Sequence, residues 1–198
     1  RQRAQLERKQ TQRASYDRVL IVSEGSKTEP LYFKEIKNAH RLQTANVEVH
    51  PSALGTEPIQ VVRYAKQLFE SGDPHKRVRV RAFEKVFAIF DRDDHKSYFD
   101  ALKLADSLDG KLRNDVKQPV EFKAIASVPC FELWLLLHYE DIRHLLHRDE
   151  VLARLKQHIP SYNKGAGGSF ATTRGGLDIA SQRARNLAAL STAFDDTE

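Results

Sequence analysis

One cysteine in 198 residues, Cys130, leaves no partner for an internal disulfide and no thiolate set for a Cys-rich zinc module. No apolar run approaches the roughly 18 residues that a membrane-spanning helix needs. The charged N-terminus has no apolar segment behind it, so the sequence shows no signal peptide. No GxxxxGK[ST] run occurs, which excludes a P-loop. The run Gly165-Ala166-Gly167-Gly168 does not follow an expected strand, so it is no dinucleotide fingerprint either. What is present is ordinary for a globular chain: 40% hydrophobic and 30% charged residues. The expectation is one domain with an extension, in a reducing, cytoplasmic setting without membrane attachment.

Charge is spread unevenly. The net charge is +5. Residues 1–18 hold six basic side chains (Arg1, Arg3, Arg8, Lys9, Arg13, Arg18) against Glu7 and Asp17, so this arm carries +4 and the body is almost neutral. A basic arm suits contact with nucleic acid, and equally suits a solvated leader.

Hydrophobic patterning alternates between two periods. Val19-Leu20-Ile21-Val22 reads as a buried parallel strand. Thr28-Glu29-Pro30 reads as a helix start, with Thr as cap, and the same tripeptide recurs as Thr56-Glu57-Pro58. Residues 46–50 read as a second strand, Val86 to Phe90 as a third and Val120 to Ser127 as a fourth. Helices are expected after each, the last opening at Pro129 and running through Trp134 to His138. This β-α-β-α-β-α-β-α order predicts an α/β fold with a roughly four-stranded parallel sheet and helices on both faces. Residues 141–198 read as a helical extension around a glycine-rich loop, by default a disordered hinge.

In such a sheet, ligands bind beyond the carboxyl ends of the strands at the switch point. The first strand runs into Ser23-Glu24-Gly25-Ser26-Lys27 and the third into Asp91-Arg92-Asp93-Asp94. If those strands are neighbours, Glu24 meets Asp91 and Asp93, and converging carboxylates repel one another unless a cation sits among them. Mg²⁺ takes oxygen ligands and leaves positions for phosphate oxygens. Gly25 permits close backbone approach, and Lys27 is placed to pair with a phosphate. A polar strand end without a metal is the plain alternative for an isolated DxD.

These residues resemble a known arrangement. A Glu after the first strand and a DxD after the third look like the Toprim domain of topoisomerases, primases and certain nucleases. More specifically, Val22 to Pro30 with Tyr32-Phe33, Phe90 to Asp94, and Pro129 to His138 resemble three motifs of the RloB-like family of bacterial defence-associated proteins. The resemblance covers about residues 19–140, the expected catalytic domain. It implies a Toprim-like Rossmannoid fold and Mg²⁺-dependent cleavage of DNA or RNA, with Mn²⁺ as a substitute, in anti-phage defence beside a partner ATPase. Carried over by position, Glu24 is a general acid/base or metal ligand, Asp91 and Asp93 hold metal, and Asp94 supports them.

Other candidates are less specific. Glu132 sits in the first turn of its helix, where it either joins the acidic cluster or compensates the helix dipole. Glu29 is a further support. Arg77, Arg79 and Arg81 alternate with Val78 and Val80, and in an extended segment would form one basic, phosphate-facing edge, or a solvated edge strand. Lys164 and Arg174 flank the glycine-rich loop, which could clamp nucleic acid. His144 and His147 lack further zinc ligands. Cys130 reads as an inert thiol and Trp134 as core. Two other activities suit the same residues: an aspartyl-phosphate phosphohydrolase using Asp91 as nucleophile, and a non-catalytic module that binds nucleic acid or an ATPase.

Overall fold

The computed structural model describes residues 17–42, 47–92 and 95–195, with side chains as far as residue 190. Among them, four strands form one all-parallel sheet in the order β2-β1-β3-β4: β1 (Val19–Ser23), β2 (Val47–Pro51), β3 (Lys85–Asp91) and β4 (Glu121–Ser127). Helices α1 (Thr28–Ala39), α2 (Pro58–Ser71) and α3 (Tyr98–Leu108) connect successive strands. Short α4 (Glu132–Leu136) follows β4, and α5 (Arg148–His158), α6 (Ser169–Thr173) and α7 (Leu177–Asp195) build the extension.

Side chains alternate along each strand, and the two sheet faces differ accordingly. Leu20, Val22, Val86, Ala88, Phe90 and Phe122 face α2 and α3 and form the main core with Val61, Ala65, Phe69 and Ala105. Ile21, Val49 and Ile89 face the other way, toward Phe33 of α1. The extension packs through two further clusters. One joins α4 to α5 and α7 through Leu136, Val151 and Ala180; the other joins α1 to α4 and the glycine-rich region through Tyr32, Leu135, Leu155, Tyr162 and Phe170. No helix among the described residues is long and apolar enough to cross a membrane.

Local chemistry explains some helix starts and corrects others. Thr28 does not cap α1: Lys27 is the N-cap residue, no side chain caps it, and the buried Thr28 hydroxyl lacks a hydrogen-bond partner. Thr56 does not cap α2 either. Glu57 does so, in a capping box with Gln60, and Pro58 opens the first turn. The helix expected from Pro129 to His138 shrinks to five residues because the chain runs through Pro129–Phe131 as a turn first. Residues 77–81 are not extended. Asp73 and Val78 bridge around a tight turn, and Arg77 (φ 59°) and Arg81 (φ 51°) take left-handed backbone, which destroys the alternation a single basic edge requires.

The basic arm lies outside the described residues up to position 16. Its last member, Arg18, is a structural clamp. Its guanidinium donates to Glu84 at 2.7 Å and to Asp115 at 2.8 Å, tying the start of β1 to the segments that flank β3 and β4.

Candidate functional site: a carboxylate cluster at the switch point

β1 and β3 are hydrogen-bonded neighbours in parallel register, with Ser23 opposite Ile89. Their carboxyl ends therefore emerge side by side, while β2 departs to one side and β4 to the other. Glu24 prolongs the ladder by donating its N–H to the Ile89 carbonyl at 2.8 Å. Its side chain then crosses the gap, and Glu24 Oε2 accepts the Asp91 N–H at 2.9 Å. Two acidic segments 67 residues apart thus share one pocket.

Asp91 closes β3 opposite Ser127. Its carboxylate is only 9% exposed. Oδ1 accepts the Phe131 N–H at 3.0 Å, and Oδ2 accepts from Arg148 Nη2 at 3.1 Å. Burial pushes its pKa up to about 7, and the charges of Glu29, Glu24 and Glu132 add to this, against the pull of Arg148. Two more carboxylates crowd in from behind. Glu29, in the first turn of α1, is buried, and its proton affinity is raised by that burial, with Lys164 opposing and Glu132 and Glu24 contributing. Glu132, in the first turn of α4, is 1% exposed. It accepts from the Tyr162 hydroxyl at 2.9 Å, and Lys164 Nζ lies 3.5 Å away. Burial and the Glu132 charge push the Cys130 thiol up to about 12, so it is inert as a nucleophile.

Gly25 matters here through space rather than conformation. A Cβ added at this position would lie 2.3 Å from Glu29 Oε2, so any larger residue must displace the end of that side chain. Lys27 is exposed on the same loop, and its stem is roofed by Gly165, whose added Cβ would sit 2.9 Å from the Lys27 Cβ. The glycine-rich region is an ordered roof and not the expected hinge. Glu35 of α1 accepts the N–H groups of Gly168 (2.6 Å), Phe170 (3.0 Å) and Ala171 (3.3 Å), pinning the start of α6. Gly165, Gly167 and Gly168 all adopt φ near +80°, which glycine permits.

The structure thus brings Glu24, Gly25, Lys27, Glu29, Asp91 and Glu132 together. Asp93 and Asp94 lie outside the described residues. Arg77, Arg79 and Arg81 lie ahead of Lys85, where β3 begins. β3 is seven residues long, so its start lies roughly 20 Å from Asp91 at about 3.3 Å per residue, and the arginines precede that start, at the wrong end of the sheet for this pocket. His147 serves as the N-cap of α5, accepting from the Asp149 N–H.

Three residues that contact the carboxylates come from the extension: Arg148, Tyr162 and Lys164. Arg148 carried one sequence signal, a cation in the first turn of a helix, where the dipole favours acids. Tyr162 carried none. On the face of the sheet that Ile89 lines, an apolar cavity of about 600 Å³ opens between β4, α1, α4 and α7, lined also by Ile125, Phe131, Trp134 and Leu187.

Whether the donors suit a metal is a question of type and number. Among the described residues, no group of three His, Cys, Asp or Glu side chains is arranged to hold an ion. The donors present are hard carboxylate oxygens, and Mg²⁺ typically takes only one or two of these from protein, completing its shell with water and substrate phosphate. Glu24 and Asp91 fit that demand.

Fold and site together define a parallel α/β protein with an acidic switch-point pocket. The family model described as RloB-like protein matches residues 19–197, and the chain belongs to that family. No curated protein and no solved structure matches it.

Proposed function

We propose that this protein is a Mg²⁺-dependent nuclease that hydrolyses phosphodiester bonds in DNA or RNA. The observation that carries the reading is the junction of Glu24 and Asp91, where a carboxylate from the end of β1 rests on the backbone of the carboxylate that ends β3. A bound Mg²⁺ would neutralise charge on the phosphate and stabilise the leaving oxygen. Glu24 and Asp91 would hold it, with Asp93 as the third acidic residue. Glu24 is more exposed than Asp91 and is the carboxylate placed to exchange a proton with water. The resemblance to defence-associated Toprim proteins adds the setting: a cytoplasmic, anti-phage role beside a partner ATPase.

The aspartyl-phosphate alternative meets the same geometry as the metal site: Asp91 Oδ1 accepts from Phe131 and Oδ2 from Arg148, so an oxygen must be released before Asp91 either attacks phosphorus or binds a cation. The non-catalytic reading has one observation in its favour, because Arg148 and Lys164 pair with the acids as a purely structural network would. Incubating single- and double-stranded DNA and RNA with the protein in Mg²⁺, Mn²⁺ or EDTA separates the readings. The expected result is cleavage that EDTA and Asp91→Ala each abolish. Cleavage that survives both would place the chemistry elsewhere.

A further inference from the structure

We propose that the C-terminal extension supplies the phosphate-contacting cations of this site. Arg148 and Lys164, held by Asp91 and Glu132 in this structure, pass to the phosphodiester when it binds. The proposal rests on the reading of the site as one for nucleic acid.

Exposure carries the argument. The two carboxylates are sealed in, with 9% and 1% of their side chains exposed, whereas Arg148 is 35% exposed and Lys164 58%. An anion arriving from solvent therefore meets the cations first and the acids behind them. Both cations reach inward from the surface on long stems, so they can turn outward by rotamer changes alone. The Lys164–Glu132 pair, at 3.5 Å, is also long for a charge-assisted hydrogen bond, which suits exchange.

Helix electrostatics points the same way. Arg148 opens α5, an eleven-residue helix whose first turn also holds Asp149 and Glu150. A cation at that position opposes the helix dipole and costs the helix stability, while the amides there favour an anion. The residue is misplaced for the helix and well placed for a phosphate beside Asp91. Guanidinium also offers a planar fork that matches phosphate oxygens. Lys164 is positioned by the roof: Glu35 fixes α6 on one side and Gly165 packs onto Lys27 on the other, which sets the lysine above the pocket.

The test is equilibrium binding of short single-stranded DNA and RNA oligonucleotides to the full chain, in Ca²⁺ in place of Mg²⁺, across a salt series. Arg148→Ala and Lys164→Ala should each weaken binding several-fold and lower the log–log salt slope by about 0.7, the increment for one lost phosphate contact on a single strand. Arg148→Lys should keep most of the slope, and Arg113→Ala, on the surface beside Gly110, should leave it unchanged. A purely structural role would shift stability and not the slope. Lys164 is more exposed than Arg148, so Lys164→Ala keeps the proposal testable if loss of Arg148 harms the protein. Wild-type slopes in the folded alanine variants, or no oligonucleotide binding by the wild type, would overturn the proposal. Binding that responds to both substitutions without any cleavage in Mg²⁺ or Mn²⁺ would retire the nuclease reading and keep this one. Cleavage with unchanged slopes would do the reverse.

Discussion

Replacing Asp91 by asparagine should make the metal-free protein less sensitive to pH and, above neutrality, more stable. The carboxyl titrates near 3.8 when unfolded and near 7 when folded. Between those values the native state holds a proton that the unfolded state has released, so stability falls as pH rises through this window and levels off above it. The gap corresponds to on the order of 4 kcal/mol. The introduced amide would still accept from the Phe131 N–H through its carbonyl oxygen, and its NH₂ would face Arg148, a cation with enough exposure to turn toward water. At pH 4.5 the wild-type carboxyl is itself neutral, so the two proteins should differ little there. At pH 8.5 the variant should be more stable by a few kcal/mol. Urea titrations in EDTA from pH 4.5 to 8.5 measure this, with the urea dependence checked for constancy so that the midpoints report stability. Glu29, also raised, contributes a smaller slope of the same sign to both proteins, and the difference curve removes most of it. Parallel curves for the two proteins would refute the reasoning, because they would mean that Asp91 carries no penalty for its charge. A variant that gains stability while losing cleavage would be the signature of a carboxylate retained for function.

Three further substitutions probe the supports of the site. Gly25→Ala should cost about 1–3 kcal/mol, as overpacked positions do, and weaken Mn²⁺ binding measured by paramagnetic resonance, since its Cβ would press on Glu29; unchanged stability would show that the loop yields freely. Glu35→Ala removes the acceptor for three amides and should cost roughly 0.5–2 kcal/mol, with residues 163–171 becoming the first site of limited proteolysis. Arg18→Ala breaks the clamp on Glu84 and Asp115; the loss should be about 1–3 kcal/mol in chemical denaturation, with oligonucleotide affinity unaffected.

Much of the site was readable because short-range rules produced it. The apolar runs ending at Ser23 and Asp91 declare buried parallel strands, and alternation between strands and helices makes a switch point between β1 and β3 the natural arrangement. Glu24 and Asp91 followed from that step alone. The same reasoning misplaced Arg77, Arg79 and Arg81, since two left-handed residues turn the chain there and no side-chain pattern announces a positive φ at arginine. It also credited Thr28 and Thr56 with capping, although the neighbouring Lys27 and Glu57 occupy the cap positions. The glycine-rich region looked like a hinge because glycine permits disorder as readily as tight turns, and only the contact with Glu35, more than 130 residues earlier, decides between them.

The sequence by itself determined the layered α/β architecture, the parallel sheet and the two acidic strand ends, because periodicity and strand-end chemistry are local properties of the chain. Tertiary structure alone decided what neutralises those acids. Arg148, Tyr162 and Lys164 reach Asp91 and Glu132 across separations of 30 to 57 residues, and such ion pairs and hydrogen bonds leave no periodic trace. Their reason is electrostatic: crowding four carboxylates into one pocket raises the free energy of the native state until distant cations and donors are folded against them.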